Sequence, residues 1–513
     1  MHCRTLVLSA TTTLLLLAAC SSGDDSTATS STTGAPVTGA PTTSGVSTTT
    51  AVEQPGASVA VPTVEGPITG GERNGLPSNP TPPELLQQYG YVEQEFFISG
   101  DATAYTADGT LGRDGLWAAH PNGTAPYTTR ILVRRPADPA TANGIIAVEW
   151  FNVSGGQDAD PDFGSLYPTL LSEGTTWVGV SAQFGGVQGP GLSLPIPGVS
   201  PTPLKAADPT RYAPLSHPGD DYSYDIYSQA AQAIRRPQGA DPLGGVHVTK
   251  VIAIGESQAA GRLTIYINAV HPLARIYDGF LVHSRIIGAP LADGVEMPAI
   301  VNFRTDLAEP ILWFQTETDV AHGSSNRQPD TDRLVTWEVA GAAHADQSQL
   351  DWGGASAHVL DPDFPLPAFE SMCGGTLNQG PQPLVIQRAW SDLETWVVDG
   401  TRPATAPPLE LNDDGSIRRD ELGIAVGGIR TPDVDVPIAV HSGVPRPDVS
   451  VLCMLFGSTS PLGNATLASL YPSHDDYVAR VRASAEAAMQ AGYLLQAGVD
   501  EFVAEAQAAP VPG

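Results

Sequence analysis

An unbroken apolar run that meets a glycine, a serine and then a helix-forming stretch has few ways to fold, and Val248 to Arg262 is such a run. It reads Val-Thr-Lys-Val-Ile-Ala-Ile, then Gly255-Glu256-Ser257-Gln258-Ala259. A short continuous run of β-branched and apolar residues predicts a strand buried on both faces. The small residues after it predict a sharp strand-to-helix turn, because a bulky side chain at Gly255 or Ala259 would clash where helix and strand meet. Such a turn lifts a serine hydroxyl above the sheet edge and leaves backbone N–H groups free at the helix start, where an oxyanion is held. Ser257 is therefore the candidate nucleophile. The triplets Gly198-Val199-Ser200, Gly323-Ser324-Ser325 and Gly354-Ala355-Ser356 follow no buried strand and read as turns.

A serine nucleophile needs a base, and the base needs an acid to orient it; on a nucleophile-elbow sheet both follow the serine in the order acid, histidine. After the apolar run Ile311–Gln315 comes Thr316-Glu317-Thr318-Asp319, and after Leu334–Val339 comes Ala340-Gly341-Ala342-Ala343-His344. Both groups fall at carboxyl ends of predicted strands, where open α/β sheets carry their chemistry. His344 is the candidate base, since His217 and His358 fall in loop-like segments and His283 precedes the acid. Asp319 is the preferred acid, with Glu317 as the alternative of equal chemistry. The N–H of Gln258 is one expected oxyanion donor. The second is expected from the loop Trp150-Phe151-Asn152-Val153-Ser154-Gly155-Gly156, at Asn152 or Val153; Trp150 and Phe151 are candidates to flank an acyl or aromatic group, although aromatic residues are more often core.

The rest of the chain supplies the scaffold. Runs at Ile131–Arg134, Ile145–Trp150, Trp177–Ala182, Val248–Ile254, Gly279–His283, Ile311–Gln315 and Leu334–Val339 alternate with helical patterns. That order predicts a mostly parallel, doubly covered sheet in one domain over residues 71–513, with an antiparallel start from Glu93–Tyr105 and Tyr127–Arg134. A Pro- and Gly-rich insertion at 185–218 is the candidate lid. A C-terminal extension, 379–513, carries a helical pattern from Val385 to Val397 ending at Gly400, and a second helix opening at Ser473.

The N-terminus predicts export. Leu6–Ala19 is apolar but too short to span a bilayer, and Leu17-Ala18-Ala19-Cys20 closes it in the manner of a lipoprotein signal, with Cys20 as the lipidated residue. Residues 21–70 are Ser, Thr, Gly, Ala and Pro with few large apolar side chains, and read as a disordered linker reaching on the order of 35 to 40 Å. The expected location is the outer side of the cell membrane by a lipid anchor, or secretion. The net charge of −30, from 25 basic and 55 acidic residues, argues against nucleic acid or anionic lipid as substrate, since phosphate binding needs clustered Lys and Arg. With Cys3 in the leader and Cys20 at its end, Cys373 and Cys453 remain, and in an exported protein they are expected to pair. No metal-binding spacing and no cofactor motif is present, so neither is expected.

Several segments together carry a family resemblance. Val148-Glu149-Trp150-Phe151-Asn152-Val153-Ser154-Gly155-Gly156, Asp221–Tyr227, Gly255-Glu256-Ser257-Gln258, Thr316–Asp319, Gly341–His344, Gly427–Arg430 and Leu455–Thr459 resemble the exported bacterial alpha/beta-hydrolase domain proteins, from about Gly90 to Ala506. The resemblance implies an α/β-hydrolase fold and a Ser-Asp/Glu-His site, without a defined common substrate. The expected activity is hydrolysis of a carboxylic ester, small or polymeric, through an acyl-enzyme. A peptidase, thioesterase or transacylase would use the same triad. A different class also stands, a tethered lipoprotein that binds a ligand or cell-wall component without catalysis; the intact Ser-acid-His order argues against it, and a broken triad geometry would favour it.

Overall fold

The computed structural model describes residues 56, 58–189, 200–286, 288–446, 449–450 and 452–511. The lipidation position Cys20, the leader and most of the linker lie outside the described residues. Among the described ones, ten strands form one sheet: β1 (Thr63–Glu65), β2 (Tyr91–Ala107), β3 (Ala119–Pro136), β4 (Ile145–Trp150), β5 (Thr176–Val180), β6 (Gln238–Gly239), β7 (Lys250–Glu256), β8 (Gly279–His283), β9 (Ile311–Thr316) and β10 (Leu334–Val339). Their spatial order is β10-β9-β8-β7-β4-β5-β3-β2-β1-β6. From β10 to β5 every neighbouring pair is parallel. The long hairpin β2–β3 and the β3–β5 pair are antiparallel.

β7 shows why this segment sits at the centre. Val251 and Ala253 point into the apolar layer shared with helices Ser223–Arg235 and Gln258–Ile265, whereas Ile252 and Ile254 point into the opposite layer. That second layer is built with helices Pro161–Glu173, Gln382–Asp399, His474–Gln490 and Gln496–Ala508. Each fully buried Val or Ile contributes about 1.5–3 kcal/mol relative to exposure, so a strand apolar on both faces is stable only between two helical layers. The C-terminal helices are thus part of the main core. Gly400 ends Gln382–Asp399 at φ 77°, a left-handed conformation that glycine adopts without strain, and Ser473 caps His474–Gln490 by accepting the Asp476 N–H.

Three expectations need correction here. The compositional linker extends to residue 70, but Thr63–Glu65 is a strand paired with β2, and Val64 is buried. Trp150 and Phe151 take the core role and not the flanking one: both are buried, Trp150 against Tyr224 and Tyr227, and Phe151 against Trp177. The described parts of the 185–218 insertion are packed down, with Leu204, Tyr212 and Leu215 buried against Phe97 and Val187. Arg211 within it is tied to Glu95 at 2.6 Å. The lid expectation is thereby reduced to residues 190–199, which lie outside the described residues.

Cys373 and Cys453 are joined by a disulfide across 80 residues of sequence. Cys373 precedes the extension defined at 379, so the bond fastens that extension to the segment just before it. Ala345, next to His344, donates its N–H to Leu455 O, which places the cross-linked segment directly behind the histidine loop.

Candidate functional site

Ser257 stands between the end of β7 and the helix Gln258–Ile265 with φ 59° and ψ −116°. A non-glycine residue held at positive φ costs on the order of 1–3 kcal/mol and persists only where its surroundings enforce it. Two hydrogen bonds do so: Ser257 N–H to His283 O at 2.9 Å, and Gly261 N–H to Ser257 O at 3.1 Å. A Cβ at Gly255 would lie 3.2 Å from the Ala259 carbonyl carbon, which accounts for the small residues on either side of the turn.

The structure brings Ser257, His344 and Asp319 together. His344 Nε2 lies 2.7 Å from Ser257 Oγ, and His344 Nδ1 lies 2.7 Å from Asp319 Oδ1. Asp319 Oδ2 accepts from both the N–H and the hydroxyl of Thr316, each at 2.7 Å, so the carboxylate is aimed by a capping box at the start of helix Glu317–Gly323. His344 is held from behind, its N–H donating to Thr318 Oγ1 at 3.1 Å. Burial pushes the Asp319 carboxyl up, but the adjacent His344 and the bonds from His344 and Thr316 outweigh it and hold the group below the usual range. Burial pushes the His344 imidazole down, and Asp319 together with Glu256 outweighs that, so its pKa is raised.

Glu317 does not reach the histidine. Its Oε2 pairs with Arg419 Nη2 at 2.7 Å and accepts the Gly443 N–H, while Oε1 accepts the Gly341 N–H at 2.7 Å. These bonds fasten the histidine-bearing turn to a segment about a hundred residues later. The other histidines are engaged elsewhere: His217 with Ala182 O, His358 with Phe364 O, and His283 with Asp162 at 2.8 Å.

Of the expected oxyanion donors, Gln258 opens its helix, so its N–H is among those a helix leaves without an internal acceptor. Asn152 is not a backbone donor. Its N–H is spent on Ala159 O at 3.0 Å, because the loop folds back on itself there, and its side chain instead donates to Glu256. Val153, next along, has no protein acceptor for its N–H among the described residues. The far end of this loop is anchored by buried ion pairs, Arg130 with Asp158 at 3.0 Å and Arg134 with Asp160 at 2.5 Å. Two cavities of about 570 and 680 Å³ are found among the described residues, and neither is lined by Ser257, Asp319 or His344. Among the described residues no group of three or more His, Cys, Asp or Glu is arranged to hold a metal ion.

A mostly parallel sheet with a strained serine after a central strand, and its acid and histidine after the next strands but one and two, defines the α/β-hydrolase class of fold. The chain belongs to the alpha/beta hydrolase domain family, which it matches over residues 64–504. Comparison with curated proteins yields no match. Solved structures similar to it include a putative dienelactone hydrolase from Klebsiella pneumoniae, 12% identical, covering 59% of this chain and 98% of that one with a TM-score of 0.25. An α/β serine hydrolase without lid from Xanthomonas campestris is 13% identical and covers 52% and 95%, with a TM-score of 0.26. One of two fungal esterases from Rhizomucor miehei is 11% identical and covers 52% and 83%, with a TM-score of 0.24. At such identities and scores they bear on neither substrate nor mechanism.

Proposed function

We propose that this protein is a serine hydrolase that cleaves a carboxylic ester through an acyl-enzyme, with Ser257 as nucleophile, His344 as base and Asp319 as orienting acid. The observation that carries the reading is the continuous hydrogen-bond chain Asp319–His344–Ser257, 2.7 Å at each link. Ser257 Oγ attacks the ester carbonyl carbon as Nε2 takes its proton. The carbonyl π electrons move onto oxygen, which the Gln258 N–H and the Val153 N–H stabilise. Collapse of this intermediate breaks the bond to the alkoxide, which leaves with the proton from Nε2. Water then repeats the sequence on the acyl-serine, releasing the acid and restoring Ser257. Every group involved is supplied by the chain. The same chain of hydrogen bonds is what favours this reading over a purely ligand-binding role.

Reaction of the folded protein with a fluorophosphonate, followed by peptide mass spectrometry, tests the reading. The adduct is expected on Ser257 alone, and an ester panel is expected to show turnover. Because the reaction needs neutral His344, whose pKa is raised, the rate falls as pH drops through that raised value, and the acid-side midpoint is expected above about 6.5. A folded protein that takes no label between pH 6 and 9 would sink the proposal.

We further propose that the enzyme works outside the cytoplasm, tethered through a lipid on Cys20 and held off the membrane by the linker. The motivation is the Leu17-Ala18-Ala19-Cys20 ending of the apolar leader and the composition that follows it. Metabolic labelling with a fatty acid is expected to mark the wild-type protein and not Cys20→Ser; equal labelling of both would rule the anchor out.

A further inference from the structure

Glu256 stands between Gly255 and the nucleophile, and no step above uses it. Its side chain is 5% exposed, and Oε1 lies 3.5 Å from His344 Nε2, the nitrogen that faces Ser257 Oγ. Its other oxygen is held. Asn152 Nδ2 donates to Glu256 Oε2 at 3.2 Å and to Glu256 O at 3.1 Å, while the Asn152 amide oxygen accepts the Ser154 N–H at 2.7 Å. The bond from Ser154 fixes which end of the amide faces the glutamate. Next to Glu256 in the sheet register is His283, whose Nδ1 binds the Asp162 carboxylate at 2.8 Å. A carboxylate withdrawn from water costs several kcal/mol unless charge and hydrogen bonds compensate it, and among the described residues the hydrogen bond to this one comes from Asn152 alone. The compensation on offer is the positive charge that His344 acquires during acyl transfer.

We propose that Glu256 is a positioning residue for the acyl-transfer reaction: a second carboxylate partner of the His344 imidazolium, acting on the Nε2 side while Asp319 acts on the Nδ1 side. The inference rests on the hydrolase reading above. Glu256 makes and breaks no bond; the proton stays on Nε2 until the leaving alkoxide takes it. An ionised Glu256 stabilises the cation present in both tetrahedral intermediates and makes His344 a stronger base in the resting enzyme. Asn152, in turn, sets where the carboxylate points. The charged groups facing it are His344, His283, Asp162 and Asp319. Burial pushes the Glu256 carboxyl up to about 7, with Asp162 and Asp319 pushing the same way and His344 and His283 opposing them. Each of the two groups therefore favours the charged form of the other.

The test is the pH dependence of the second-order rate of Ser257 phosphonylation by a fluorophosphonate, in the full mature chain, for wild type and Glu256→Gln. Glutamine keeps the shape and an acceptor for Asn152 but not the charge. The acid-side midpoint is expected to fall by about one pH unit, and the plateau rate to drop roughly threefold to tenfold. An unmoved midpoint in a folded Glu256→Gln protein overturns the proposal, because a purely structural role survives that substitution. Glu256→Asp draws the charge back from Nε2 and is expected to move the midpoint part of the way. If the glutamine variant fails to fold, an unmoved midpoint in the aspartate variant overturns it instead. A wild type that takes no label refutes the hydrolase reading and this inference with it, whereas a labelled wild type with coincident profiles refutes only the role of Glu256.

Discussion

Replacing Ser257 by Ala is expected to lower kcat on any ester the enzyme turns over by about 10⁶-fold. The residual rate, about 10³- to 10⁴-fold over water, comes from oxyanion donors and binding that do not depend on the hydroxyl. The loss is this large because the three groups act as a unit. Without Oγ, His344 Nε2 has no proton to take, and Asp319 orients a base that serves nothing. Stability should hardly change. Among the described residues Oγ makes a single hydrogen bond, to His344, and the strained backbone at φ 59° is enforced by main-chain bonds that alanine keeps. The two proteins should therefore unfold within about 1 kcal/mol of each other in denaturant titrations. Full activity in Ser257→Ala would place the nucleophile elsewhere, and inactivity together with lost cooperative unfolding would leave the serine with a structural role alone.

The fold was legible where the chain repeats a simple rule. β4, β8 and β10 coincide with the apolar runs because a parallel strand buried on both faces can contain little else, and β7 is displaced by only two residues. β1 and β6 were not legible, since strands of three and two residues with Val64 as their one large apolar side chain have no period to detect. At the site, the order serine, acid, histidine could be read from strand ends, but the contacts that sort neighbouring residues could not. Asn152 and Val153 are adjacent in the same loop. Only the return of the chain to Ala159 shows that the first N–H is spent. The aromatic pair Trp150-Phe151 looked like a pocket wall because a strand end is also where pockets begin, and only packing against Tyr224, Tyr227 and Trp177 tells the two apart. Glu256 was in view from the start as the residue between Gly255 and Ser257. A motif assigns such a position no role, and the signal was its acidity next to a nucleophile.

Asp319 and Glu317 show the same limit most sharply, and two substitutions separate them. Asp319→Asn is expected to cut kcat by about 10⁴-fold. Thr316 donates twice to Oδ2, so an asparagine keeps its oxygen there and turns its amide NH₂ toward His344 Nδ1. That nitrogen must then accept a hydrogen bond. The imidazole carries its proton on Nε2 instead, where it cannot take one from Ser257. The carboxylate also contributes stability at neutral pH. Its folded pKa is below the ordinary value, so this contribution is present above the unfolded pKa and lost as pH falls through the folded one. Glu317→Gln should behave oppositely. It touches no triad atom, but it loses the charge paired with Arg419, and with its oxygen kept toward Arg419 Nη2 and the Gly443 N–H its NH₂ is set against a third donor, the Gly341 N–H. With Glu317 buried and Arg419 partly exposed, this is expected to cost about 2 kcal/mol in denaturant unfolding while kcat of the folded fraction stays within a few-fold of wild type. The crossed result, with activity lost in a fully stable Glu317→Gln and kept in Asp319→Asn, would transfer the acid's role to Glu317. That transfer would require the turn between them to repack so that Glu317 gives up Arg419, Gly341 and Gly443 together. The price of those three interactions is the physical reason to expect that Asp319, two residues on and held by Thr316, orients the histidine.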